Sequence, residues 1–105
     1  MGTKTDELIT ILAETIILLR KYGVSHWADW LEKDMMLLEK SDFYGIEHLL
    51  SAFGGMGSFN DLYICQENGH IIEKEETVLV NDKLFRLNSS IYGLAETIRK
   101  EVYSR

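Results

Sequence analysis

The sequence predicts a mainly α-helical fold: an antiparallel bundle of about four helices, with one short β-hairpin placed after a glycine-rich loop. Three observations carry this expectation. Apolar residues recur at spacings of three and four through most of the chain, as one buried face of a helix requires. Proline is absent, so nothing interrupts long helices from within. Finally, Gly54, Gly55 and Gly57 break the helical pattern near the middle, and an apolar run with strand-like character follows at once.

The first helix is expected from about Thr5 to Lys21. Leu8, Ile11, Leu12, Thr15, Ile16, Leu19 and Tyr22 form its apolar stripe, and Ile17 and Leu18 widen it, as in a helix touched from more than one side. Thr3 or Thr5 is placed to cap it, and Gly23 to end it in a left-handed conformation. Ser25 opens a second helix, from about His26 to Lys40, with Trp27, Trp30, Leu31, Met35 and Leu38 on the apolar face and an outward Asp29–Lys33 pair. The connection is short enough to make the two an antiparallel hairpin. A third helix begins at Ser41 or Asp42, runs through Ala52, and buries Phe43, Ile46, Leu49, Leu50 and Phe53.

Beyond the glycines, Leu62–Cys65 and Ile71–Ile72 flank Asn68-Gly69, the signature of a type I′ hairpin with positive φ at both central residues. The last helix, from about Glu75 to Tyr103, carries Val80, Leu84, Leu87, Ile91, Leu94, Ile98 and Val102 at spacings of three and four. Gly93 is a place for a bend or a close neighbour, and Asn81-Asp82 offers a later start.

At 105 residues the chain is read as one helical domain, residues 1–105. No apolar run approaches a membrane span, and Asp6 and Glu7 stand where a signal peptide would exclude them. A lone cysteine, Cys65, forms no internal disulfide, and the cytosol is the expected compartment. The net charge of −6 disfavours direct nucleic-acid binding and favours encounter with a basic protein partner.

Catalytic machinery is hard to find. The glycine stretch lacks the Gly-Lys-Ser/Thr ending of a phosphate loop, and a helix rather than a strand precedes it. Gly55-Met56-Gly57-Ser58-Phe59 is not a nucleophile elbow. His26, His48 and His70 lack metal-ligand spacing to one another or to Cys65. His26 reads as a surface residue at a helix start, His48 as a surface residue or cap partner, His70 as a turn residue, and Cys65 as a small buried one. No cofactor or metal is expected. The loop itself reads as structural, with Gly54 and Gly55 at positive φ, Gly57 in a tight turn, and Ser58, Asn60 and Asp61 satisfying loop N–H groups.

If one surface is functional, the expected partner-binding residues are Asp42, Tyr44 and Glu47 near the third helix, Ser58, Asn60 and Asp61 at the loop, and Trp27 as a half-exposed anchor. The other acidic residues, Asp34 among them, read as solvated surface. An enzyme built around the loop would have to use Ser58, Asn60, Asp61 and His70.

Three stretches carry a resemblance: His26–Leu31, Asp42–Leu50, and Phe53–Leu62. Together they resemble a family of small bacterial proteins marked by Gly-Gly-Met-Gly-Ser-Phe-Asn-Asp-Leu, over roughly residues 8 to 103. Such proteins are similar to immunity proteins of contact-dependent growth inhibition and other polymorphic toxin systems. The resemblance implies a non-enzymatic protein that neutralises a cognate toxin domain, typically a basic nuclease, by covering its active site, and that is a monomer or weak homodimer when free. The competing expectation is a helical module that self-associates or joins a cytosolic complex through the apolar face of its first helix.

Overall fold

A computed structural model describes residues 2–103, and among them four α-helices account for most of the chain: α1 (Thr3–Lys21), α2 (Ser25–Glu39), α3 (Tyr44–Leu50) and α4 (Thr77–Tyr103). The helices close a ring in which α1 packs on α2 and α4, and α3 packs on α2 and α4. Lys4 meets Glu101, and Lys83 Nζ lies 3.5 Å from Glu14, which sets α1 and α4 antiparallel. Leu8, Leu12, Leu19, Leu31, Leu49, Leu84 and Ile91 fill the centre. The bundle measures 47 × 24 × 20 Å, its long axis set by α4.

The first turn forms as its glycine requires. Gly23 sits at φ +77°, its N–H bonds Arg20 O, and Val24 N–H bonds Leu19 O at 2.9 Å, a Schellman closure. The α2 terminus repeats the motif without a glycine. Ser41 takes φ +58° while Ser41 N–H and Asp42 N–H bond Leu38 O and Leu37 O. That turn delays α3, which begins at Tyr44 and ends at Leu50, shorter than its apolar pattern implied. Phe43 is left exposed, whereas Ile46 and Leu49 are buried. Gly45 lets α3 close on α2, since a Cβ there would lie 3.1 Å from Asp34 O. Asp29 bonds Arg20 across the α1–α2 hairpin rather than Lys33 along its own helix. At the start of α1, Gly2 occupies the cap and Thr5 is buried, so neither threonine caps the helix.

The β-hairpin does not form, and no strand occurs among the described residues. Helices and side chains claim the backbone groups that a ladder would have paired. The Asn81 amide accepts from Ile64 N–H and donates to Ile64 O, both at 2.8 Å, and Ile71 N–H donates to Tyr22 O at 3.0 Å. Gln66 and Asn68 bond Ile72 O and Tyr63 O, and His70 Nδ1 accepts from Cys65 N–H. With these groups satisfied individually, and His70 N–H bonding Cys65 O across the turn, no ladder extends further. Gln66–Asn68 makes a 3₁₀ turn, and only Gly69 adopts positive φ, so no type I′ turn exists.

The glycine loop also departs from expectation in one respect. Gly57 is left-handed, at φ +83°, but Gly54 and Gly55 are not. Phe59 anchors the loop: it is fully buried, and its N–H bonds Ala52 O at 2.8 Å. Burying such a ring is worth roughly 2–3 kcal/mol. Asn81 and Asp82 lie inside α4 rather than at its start, and Gly93 admits no close neighbour, having open space where its Cβ would be.

Candidate functional site

A groove of about 1120 Å³ opens between α3, the glycine loop and α4. Its α4 wall is a stripe, Asn81, Phe85, Asn88, Tyr92, Glu96 and Arg99, adjacent to the core stripe of the same helix. Glu47 and Leu50 of α3 and Ser51 just beyond it face it, and Phe53, Gly54, Asn60, Leu62 and Tyr63 close the side. Phe85 is 73% exposed and Tyr92 46%, with Tyr92 packed edge-on against Phe53 at 5.2 Å. The charges are Glu47, Asp82 and Glu96 against Arg99, so carboxylates outnumber cations three to one.

Arg99 makes a two-pronged contact with Glu96, both bonds at 3.1 Å, and holds that carboxyl below its ordinary range. Tyr103 donates its hydroxyl to Glu47 Oε1 at 2.9 Å, and this bond raises the phenol's pKa. The rim is therefore organised, with its acidic character intact.

The residues expected at a partner face divide. Glu47 and Asn60 line the groove. Asn60 also staples the loop, accepting from Gly54 N–H at 3.0 Å, while Asp61 accepts from Gly57 N–H at 3.1 Å. Ser58 Oγ donates to Gly55 O. Asp42 accepts from Tyr44 N–H at 3.0 Å and starts α3, with Tyr44 exposed beside it. Trp27 is half-buried, as expected of a half-exposed residue, and packs with its ring 5.3 Å from both Trp30 and Phe59. Asp42, Tyr44, Ser58, Asp61 and Trp27 thus stand outside the groove lining.

Asp34, read as solvated surface, lies in the interior, and His48, read as a surface residue or cap partner, is half-buried against it. Asp34 is completely buried, and His48 Nδ1 meets its Oδ1, joining α2 to α3. Trp30 stacks on the His48 ring at 4.3 Å and donates its indole N–H to His48 O. Burial pushes the Asp34 carboxyl up to about 6, against the lowering influence of the His48 bond and of Lys33. Spacing on α2 held a clue: Asp34 falls between Leu31 and Leu38 at three and four, on the apolar stripe itself. Phe85 and Tyr92, seven apart with Asn88 between them, were the corresponding signal for the groove.

Among the described residues, no group of three His, Cys, Asp or Glu side chains is placed to hold a metal ion, and no helix is long and apolar enough to cross a membrane.

Comparison with curated proteins and with solved structures finds no match. A family model described as a domain of unknown function, DUF6966, matches residues 20–73. That span holds both tryptophans, the Asp34–His48 pair and the glycine loop, and it ends before α4. With just over half of its 105 residues so matched, the chain belongs to the DUF6966 family.

Proposed function

We propose that this protein is an immunity-type inhibitor that binds the toxin domain of a bacterial competition system in the cytosol and denies that domain its substrate. One observation carries the reading: the α3–α4 groove sets exposed aromatic rings, Phe85 and Tyr92, beside an excess of carboxylates. Aromatic anchors inside a charged rim suit a protein interface, and the sign of the rim suits a basic partner such as a nuclease. Occlusion needs no chemistry from the inhibitor.

The test is co-purification with any toxin-like domain encoded beside it, at low and moderate salt, with the toxin's activity as readout. A one-to-one complex that silences the toxin is expected, with association slowing as salt rises. Phe85→Ala and Asp82→Lys should weaken it without unfolding the protein, because both side chains are exposed. Absence of a complex at low salt would overturn the reading for that pair.

Self-association is the second reading. It is favoured by Ile17 and Leu79, which remain 70% and 72% exposed on α1 and α4. Light scattering separates the two, since an apolar dimer persists at high salt.

A further inference from the structure

We propose that the groove seats a basic, amphipathic α-helix of the partner, lying along α4. The proposal rests on the groove being the partner face and specifies what that partner presents. The lining stripe from Asn81 to Arg99 runs about 27 Å along α4, at roughly 1.5 Å per residue, so the seat is a channel rather than a pit. Phe85 and Tyr92 stand two helical turns apart on it, both exposed, at the spacing with which one face of a second helix repeats. Gly54 lines the side of the groove without a side chain. It is not left-handed, and nothing lies within 4 Å of where its Cβ would be, so neither its backbone nor its packing requires glycine. The missing side chain leaves room for a closely approaching backbone, as a seated helix needs.

The lining selects a helix over an extended segment. An extended chain of that length would bring about eight residues' worth of backbone N–H and C=O groups to the groove. No strand edge exists among the described residues to receive them. The Asn60 amide is bonded to Gly54 N–H and O, and the Asn81 amide to Ile64 and Thr77 O. The hydroxyls of Tyr63, Ser89 and Tyr92 also line the groove, but three separate hydroxyls do not replace a ladder. A helix arrives with its backbone bonds already made and needs only side-chain contacts. Charge then sets its sign. Arg99 is paired with Glu96, which leaves Glu47 and the exposed Asp82 as the net charge of the lining. Lysine or arginine flanking an apolar helix face meets both the carboxylates and the rings.

The experiment measures fluorescence anisotropy of three labelled peptides, each of about 18 residues, against the full chain. The first carries leucine at spacings of three and four with lysine elsewhere; the second replaces its lysines by glutamate. The third has the composition of the first with leucine and lysine strictly alternating, a strand pattern. The first should bind at least about tenfold more tightly than either control, and less tightly as salt rises. Phe85→Ala should weaken it about tenfold by removing an anchor. Gly54→Leu should weaken it as much by filling the seat, with Tm unchanged because the fold has open space there. Met36→Ser, an exposed position on α2, which lines no part of the groove, should leave binding as it was. Equal affinity for the first peptide and either control, or indifference to Gly54→Leu, would overturn the proposal. If no peptide binds but the toxin domain forms a complex that Phe85→Ala weakens, the helix seat falls and the inhibitor reading stands. If the first peptide binds selectively and the toxin domain does not, the seat stands and the inhibitor reading falls for that pair. If neither binds, both fall.

Discussion

The buried Asp34 carboxylate and the His48 ring are joined across the α2–α3 interface, with Trp30 stacked on the His48 ring. Only one carboxylate oxygen is served; Oδ2 has no hydrogen-bond partner among the described residues. The cost of that burial shows in the Asp34 pKa, raised from 3.8 to about 6. A raised folded-state pKa means that the native protein binds the proton more tightly than the unfolded chain. The resulting stabilisation is fully present below pH 3.8 and is lost as pH rises through about 6. The difference in stability between wild type and Asp34→Asn should therefore shift against wild type across that window, by up to about 3 kcal/mol. Urea denaturation of both proteins at several pH values measures it; a constant difference would refute the assignment.

Asp34→Ala should behave differently from Asp34→Asn. It strips His48 of its partner and opens a cavity beside the His48 ring, a loss of about 3 kcal/mol or more at neutral pH. Tryptophan fluorescence should report the loosened stack even where the fold survives.

Asn81 replaces a neighbouring strand for Ile64, binding both its N–H and its C=O. Asn81→Ala leaves two backbone groups beside a fully buried side chain without partners and should cost about 2–3 kcal/mol. Hydrogen exchange at the Ile64 amide should accelerate more than exchange within α1, marking local opening of the segment over α4.

Two backbone positions carry residues ill suited to their conformation. Gly93 is a helical glycine with open space at its Cβ, so Gly93→Ala should stabilise by about 1 kcal/mol. Ser41 holds φ +58°, which glycine adopts without strain, so Ser41→Gly should also stabilise, by about 1 kcal/mol. The sites are remote in sequence and the effects should add; thermal melts of the single and double variants check both.

Gly45→Val should destabilise by about 2 kcal/mol or more. Its Cβ would meet the Asp34 carbonyl at 3.1 Å, and backbone there cannot yield as a flexible side chain would. Urea denaturation measures the loss, and a neutral Gly45→Val would show that the α2–α3 contact is looser than its geometry implies.

The helices were legible in the sequence because their information is local. Periodicity placed α1, α2 and α4 close to their observed bounds, and Gly23 marked its turn because a left-handed residue selects glycine. Loop stapling by Asn60 and Asp61 was legible for the same reason: side chains bond backbone a few residues away. The hairpin was misread because its signal was local while the deciding bonds, from Asn81 and Tyr22, come from 17 and 49 positions away, by subtraction of the residue numbers. Asp34 was taken for surface since charge alone says nothing of a histidine arriving from another helix. Glu47 and Asn60 were singled out separately, but the groove that unites them with Phe85, Asn88 and Tyr92 exists only once α3 and α4 pack. The sequence by itself determined the helical class, the Gly23 turn and the acidic charge, all set by neighbours along the chain. Tertiary structure decided which acid is buried, where the extended segment's hydrogen bonds go and which surface is concave, because each depends on groups brought together from distant positions.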